Sequence, residues 1–360
     1  MKTGRTLQEL AVELDRQRQT KRDFIADTRR ITADVVEGMP VIDITPNGHT
    51  ERFSINDIAH TQIAENVGIP SRYYNRMRDS APELWKTNVN HWLQAQPEKR
   101  LVRTLDGHMR AMLSDRFRPM DHCEVAEALL PAVLSDPTNR VESCQVTDKK
   151  FYLKVVSPRL TADVKKGDPV QAGIVISNSE VGLGALSAQL MIYRLVCTNG
   201  MIAGTQYGGM RTNHLGGKID LGDMCSQYFS DNTKRLDNAA FFAKLSDTVR
   251  GFLSPENFQS VVKRLTESTE EKIMGDPIQA IEVVQKQANL SDGEKTGVLR
   301  HLIEGGDLSR YGIVNAITRY SQDVADYDRA TELEQLGGKV LELHPYQWRA
   351  VADAGALVVR

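Results

Sequence analysis

Residues 173–200 read GIVISNSEVGLGALSAQLMIYRLVCTNG, and how this stretch is read decides the fold. Ile174, Val175 and Ile176 lead into Asn178-Ser179-Glu180, Gly182 and Gly184 follow, and an apolar run from Leu186 to Val196 closes on Thr198-Asn199-Gly200. Short β-branched runs bounded by Gly and Asn are paired strands, with the glycines placed where the chain must bend. The polar residues between them, Asn178, Ser179, Glu180, Gln189, Arg194 and Asn199, either satisfy one another inside a sheet or face a ligand. The chain offers no base, nucleophile or metal set to accompany them. A hydrogen-bonded turn joining two apolar strands is therefore the better account, with Asn178, Glu180, Asn199 and His214 kept as a polar cluster, structural or ligand-facing.

Upstream, LVRTL and HMRAML flank Asp106-Gly107, a strong hairpin signal. Strict alternation puts Arg103 and Leu105 with Leu101, Met109 and Ala111 with Leu113, and Arg110 with His108 and Met112. Asp121 and Glu124 form a capping-box pair for a helix through Val133, ended by Asp136-Pro137. Phe151–Val156 alternates as a strand, and Gly167-Asp168-Pro169 turns the chain into the opening stretch. Four or five strands with one inserted helix predict an antiparallel α+β sheet domain over residues 99–218.

Residues 219–360 change to helical spacing, with helices expected over 235–252, 256–267, 278–288, 293–303, 313–324 and 327–336, and Gly337-Gly338 as a helix stop. Residues 1–98 read as a small helical region. Leu7, Leu10 and Leu14 lie at helical spacing, Met39–Ile44 is a strand, and Pro46-Asn47-Gly48 is a turn. Ser54 is the expected N-cap of a helix over 57–66 that Gly68 stops. HTQIAENVGIPSRYYNRM (60–77) then has the spacing of a helix-turn-helix-like hairpin. It exposes Arg72, Asn75, Arg76 and Arg78 and keeps Tyr73, Tyr74 and Met77 inside. Trp85–Leu93 reads as a connection.

The composition is that of an ordinary globular protein, 41% hydrophobic and 26% charged, and no apolar run approaches a membrane span. The N-terminus has no hydrophobic core and so is no secretory signal, and the four cysteines show no CxxC pairing. A reduced cytoplasmic protein, without cofactor or metal, is expected. The formal charge of −2 hides an asymmetry: 13 basic against 14 acidic residues in 1–98, 16 against 11 in 99–218, and 16 against 22 in 219–360. A basic middle segment points to polyanion contact.

Phosphate loops, dinucleotide fingerprints and paired-histidine metal motifs are absent. His214 with Asp220, Asp223 and Cys225, or a Cys197/His214 pair, supplies no spacing that singles out catalysis. What remains is cations interleaved with aromatics on strands: Arg103, Arg110, Arg116, Arg118, Lys149, Lys150, Tyr152, Lys154, Lys165, Lys166 and Arg194. Lys and Arg track phosphates while aromatics stack on unpaired bases.

Three runs carry a family resemblance: LVRTLDGHMRAMLSDRFRPMDH (101–122), GIVISNSEVGLGALSAQLMIYRLVCTNGMI (173–202), and YGIVNAITRYSQDV (311–324) with ELEQLGG (332–338). They resemble the phage- and plasmid-encoded family known as domain of unknown function 932. The resemblance implies a phage, prophage or plasmid context, hence the cytoplasm of a bacterial host cell, and assigns no activity. The expected function is non-enzymatic binding of nucleic acid, single-stranded DNA above all, in recombination or replication, as an oligomer and away from membranes. The alternative is an interaction factor that modulates a host defence or replication protein through its acidic helical region. An enzyme centred on Glu180, Asn199 and His214 is the third class.

Overall fold

The computed structural model describes residues 1–45, 48–207, 209–212 and 231–356. Helix α1 (Leu7–Thr20) opens the chain behind a capping box of Thr6 and Glu9, and buries Leu10 and Leu14. A six-stranded sheet follows: β1 (Arg22–Asp27), β2 (Ile31–Val36), β3 (Met39–Ile44), β4 (Glu51–Ile55), β5 (Lys99–Leu105) and β6 (His108–Ser114). Its order is β1-β5-β6-β4-β3-β2, antiparallel except where β4 lies parallel to β6.

The connection from β4 to β5 holds helices α2 (Asp57–Asn66), α3 (Ser71–Ser80) and α4 (Pro82–Ala95). They cover one sheet face: Ile63, Tyr74, Trp85 and Val89 share a core with Phe24, Ile42, Phe53 and Val102. Asn56, and not Ser54, caps α2, accepting from the Ala59 N–H at 2.8 Å, because Ser54 is still extended in β4. The expected connection at 85–93 is helix α4, whose buried Trp85, Val89 and Leu93 recur every four residues. At the sheet's β2 edge the Asn90 carboxamide donates to the Ala33 carbonyl and accepts from its N–H, both at 2.8 Å.

The α+β class with a helical C-terminal region is as expected, and the N-terminal region adds strands to its helices. A division at 98/99 would pass through the six-stranded sheet. The β5–β6 hairpin does form at Asp106-Gly107, both at positive φ, but it pairs with β1 and β4, not with the central strands.

Helix α5 (His122–Val133) leads to the second sheet: β7 (Arg140–Val146), β8 (Phe151–Asp163), β9 (Pro169–Asn178), β10 (Leu186–Arg194), β11 (Asn199–Ile202) and β12 (Gly209–Thr212). The order is β11-β10-β9-β8-β7, all antiparallel, with β12 paired to β10 beside β11. Then come α6 (Asp231–Phe252), α7 (Pro255–Glu270), α8 (Pro277–Ala288), α9 (Asp292–Gly305), α10 (Arg310–Tyr320), α11 (Tyr327–Leu341) and α12 (Pro345–Ala352).

Both faces of this sheet are covered. Phe151, Leu153, Val155, Ile174 and Ile176 pack with Leu10, Leu129 and Leu245 of α1, α5 and α6. Further along the same face, Val170, Ala172, Leu190 and Ile192 join the core of α7–α12. The opposite face turns Val175, Met191 and Tyr193 toward Met1 and Ile202, and Tyr152 and Lys154 toward α11. Gly337 and Gly338 do not stop a helix. They lie inside α11, where a Cβ on Gly338 would come within 2.0 Å of the Ile202 carbonyl oxygen. Their role is close approach of helix to strand.

Candidate nucleic-acid interface

The proposed basic residues divide by burial. β5 and β6 pair Arg103 with Ala111 but Thr104 with Met109, so Arg110 is the extra residue of a β-bulge, which re-aims its side chain. The expected alternation breaks there: Met109 and Met112 both enter the N-terminal core. Arg103 is 0% exposed; it bonds Asp23 at 3.0 Å, Asp121 at 2.7 Å and the Glu180 carbonyl at 3.0 Å. Arg110 pairs with the Glu180 carboxylate, and Lys21 with Asp121. The other Glu180 oxygen accepts from the His122 N–H at 2.5 Å.

Three cations thus face three carboxylates, with Asn178 completing the cluster by donating to the Met120 carbonyl at 2.8 Å and lying 3.0 Å from His122 Nδ1. Burial pushes the His122 imidazole down to about 4, so the ring is neutral near pH 7. Burial opposes the charge on Glu180, yet the pull of His122, Arg110 and Arg103 holds its carboxyl well below the usual range. Arg103 and Arg110 therefore belong to a closed charge network rather than to a phosphate surface. Buried charges persist only when paired, and a phosphate could reach neither arginine here.

Tyr152 and Lys154 are corrected in the same way. Lys154 and Glu334 of α11 are both 0% exposed and pair at 2.6 Å, with Thr331 at 3.2 Å and the Tyr327 ring centroid 4.8 Å from the ammonium. Burial lowers the Lys154 pKa, and the Glu334 charge opposes that shift. Tyr152 donates to Asp328 at 2.8 Å, and burial raises its pKa. Arg194 clamps Asp168 through two bonds of 2.6 and 2.9 Å, and Tyr311 donates to the same carboxylate at 2.8 Å. Lys165 is exposed but tied to Asp307 at 2.7 Å.

Arg116, Lys149 and Lys166 are exposed and Arg118 and Lys150 half-buried. Four of these flank one loop. The Lys149 carbonyl accepts from Ser179 Oγ at 2.8 Å, and the Lys150 side chain lies over Gly184. Phe117, between Arg116 and Arg118, borders Gly182. Leu183, 43% exposed, is the tip of that loop. Lys165 and Lys166 sit at the far end of β8, whose 13 residues span about 40 Å, so the basic residues do not form one line. On α3, Arg72, Asn75 and Arg76 are exposed; Tyr74 and Met77 are buried as expected, but Tyr73 is not.

The polar cluster does not assemble as one site. Glu180 follows β9, whereas Asn199 pairs with Arg194 at the other end of β10, nine residues or about 30 Å away. Asn199 donates instead to Thr318 of α10 at 2.6 Å. His214, Asp220, Asp223 and Cys225 lie outside the described residues, as do Pro46 and Asn47. Among the described residues no three His, Cys, Asp or Glu side chains are grouped to hold a metal, and no helix is long and apolar enough to cross a membrane. The carboxylates that take up these cations and the Tyr152 hydroxyl, Asp23, Asp121, Asp168, Glu334 and Asp328, carry no local signal of that role.

Fold and charge placement together define a two-sheet α+β protein whose sequence-distinctive runs converge on buried ion networks. Residues 111–335 match the family described as domain of unknown function (DUF932), and the chain belongs to it. No curated protein matches the chain. Nor does any solved structure.

Proposed function

We propose that the chain binds a polyanion, single-stranded nucleic acid by preference, in the DNA metabolism of a phage or plasmid, and without catalytic chemistry of its own. The contact surface is the rim of the Val181–Gly184 loop rather than the strand faces. The observation that carries this reading is the pairing of Arg116 and Arg118 on one side of that loop with Lys149 and Lys150 on the other, around the exposed Leu183. Arg116, Lys149 and Lys150 make no ion pair among the described residues, so their charge is available to phosphates. Arg72 and Arg76 of α3 are likewise exposed.

Phosphate binding releases counterions, so affinity falls with salt at a slope of about 0.7 per neutralised phosphate on single strands. Titration of a fluorescent oligo-dT strand at several salt concentrations reads that slope. Replacing Arg116, Lys149 and Lys150 by Ala is expected to flatten it by about 2, at roughly 0.7 per cation. Absence of binding at low salt, or an unchanged slope in the triple variant, refutes the reading.

A further inference from the structure

The buried apolar residues fall into separate cores. Every buried member of the N-terminal core lies between Phe24 and Met112. Among the described residues, none from Asp15 to Pro119 enters the other three cores. The family match begins at residue 111, inside β6, so nearly all of the first sheet lies outside it.

The two parts meet where the β5–β6 face carrying Leu101, Arg103, Ala111 and Leu113 lies under residues 178–184 and the start of α5. Leu101, Ala111 and Val181 are buried there but join none of the four cores. The directional bonds across this junction are polar. Gln62 of α2 donates to the Val181 carbonyl and accepts from the Met112 N–H, each at 2.8 Å. Arg103, held by Asp23 within the sheet through two bonds, reaches across to the Glu180 carbonyl and the Asp121 carboxylate, and Arg110 pairs with the Glu180 carboxylate. Two carboxylates on two guanidinium groups are the arrangement by which arginine also recognises phosphate.

We infer that residues 22–114 are a separable sheet module latched onto the family domain by Glu180 and Asp121, and that these carboxylates occupy a two-arginine anion site which a phosphate-bearing ligand takes when the latch opens. The second half rests on the polyanion reading above; the first does not. A module with its own core, joined to the rest through a few apolar side chains and directional polar bonds, unfolds as its own cooperative unit.

The chain's three tryptophans divide for the test: Trp85 and Trp92 lie in the module, Trp348 in the helical core. Full-length Trp348→Phe reports only the module, and Trp85→Phe/Trp92→Phe reports only the rest. In urea, Glu180→Gln is expected to lower the module midpoint by about 1 M and leave the Trp348 midpoint in place. Asp121→Asn, at a less buried carboxylate, gives the same reading if Glu180→Gln fails to fold. Either variant is expected to raise oligo-dT affinity by about fivefold or more, a gain abolished by adding Arg110→Met.

Midpoints that stay coincident and move together overturn the latch. Separate midpoints with no gain in affinity overturn the anion site. Loss of wild-type binding on replacing Lys149 and Lys150 concerns the rim and changes neither result.

Discussion

Arg52 on β4 and Lys154 on β8 hold comparable places, each a cation facing away from its strand's apolar core residues, and they meet different fates. Arg52 spans Asp34 at 2.8 Å and Asp43 at 2.7 Å on the outer face of the β4–β3–β2 half of its sheet, and its side chain is 49% exposed. Lys154 has the same kind of partner, Glu334, but lies wholly inside because the second sheet is covered on both faces. The same alternation therefore yields a solvated charge ladder in one sheet and a desolvated pair in the other. Whether the stretch of face above a strand is covered decides which of its cations can meet a ligand: Arg103, in the first sheet, lies under residues 178–184 and is as buried as Lys154.

The sharpest way to break that comparison is at the buried pair. Lys154→Met leaves Glu334 charged in the interior and is expected to cost about 3–5 kcal/mol, read by urea unfolding. Adding Glu334→Leu is expected to restore most of it, since two apolar groups replace the pair. A double variant as unstable as the single one contradicts the account.

Acid titration comes next. Burial holds His60 and His122 at about 4, against about 6.5 unfolded. The unfolded chain therefore binds more protons between these values. Each histidine contributes on the order of 3 kcal/mol that is complete above pH 6.5 and lost as the pH falls toward 4. His60→Gln is expected to flatten thermal stability over that window for the first module, where His60 lies 2.9 Å from the Tyr74 hydroxyl. An unchanged profile would show that His60 is not buried as described.

Gly338→Ala places a methyl against the β11 backbone and is expected to cost about 1–3 kcal/mol in thermal unfolding. The mildest change is Arg52→Ala, expected to cost under about 1 kcal/mol and less at high salt. A larger loss would mean that the first sheet's outer face is not solvated.

Much of the fold was legible because its signals are local. Asp121 with Glu124 caps a helix through residues three apart, and Asp106-Gly107 turns a hairpin by its own backbone preference. The α4 stripe of Trp85, Val89 and Leu93 was equally local, yet its polar residues between make it resemble a linker. Gly337-Gly338 misleads because the same residue that ends helices also lets one touch a strand.

The interface was least legible. Alternation correctly separates Lys154 from Leu153 and Val155, but Glu334 is 180 positions away and nothing near β8 announces the helix that brings it. Arg110 fails for another reason: a single bulge residue shifts the phase of its strand.

Asn90 has a consequence for assembly. By bonding both the N–H and the carbonyl of Ala33, its carboxamide imitates a neighbouring strand in the middle of β2. The first sheet is thereby blocked from accepting a further strand at that border, which leaves β1 as its other border. A sheet that can grow from one side only closes into a two-fold pair, whereas a fibre needs two growing sides. Asn90→Ala is expected to leave the N–H and the carbonyl of Ala33 open to such a strand.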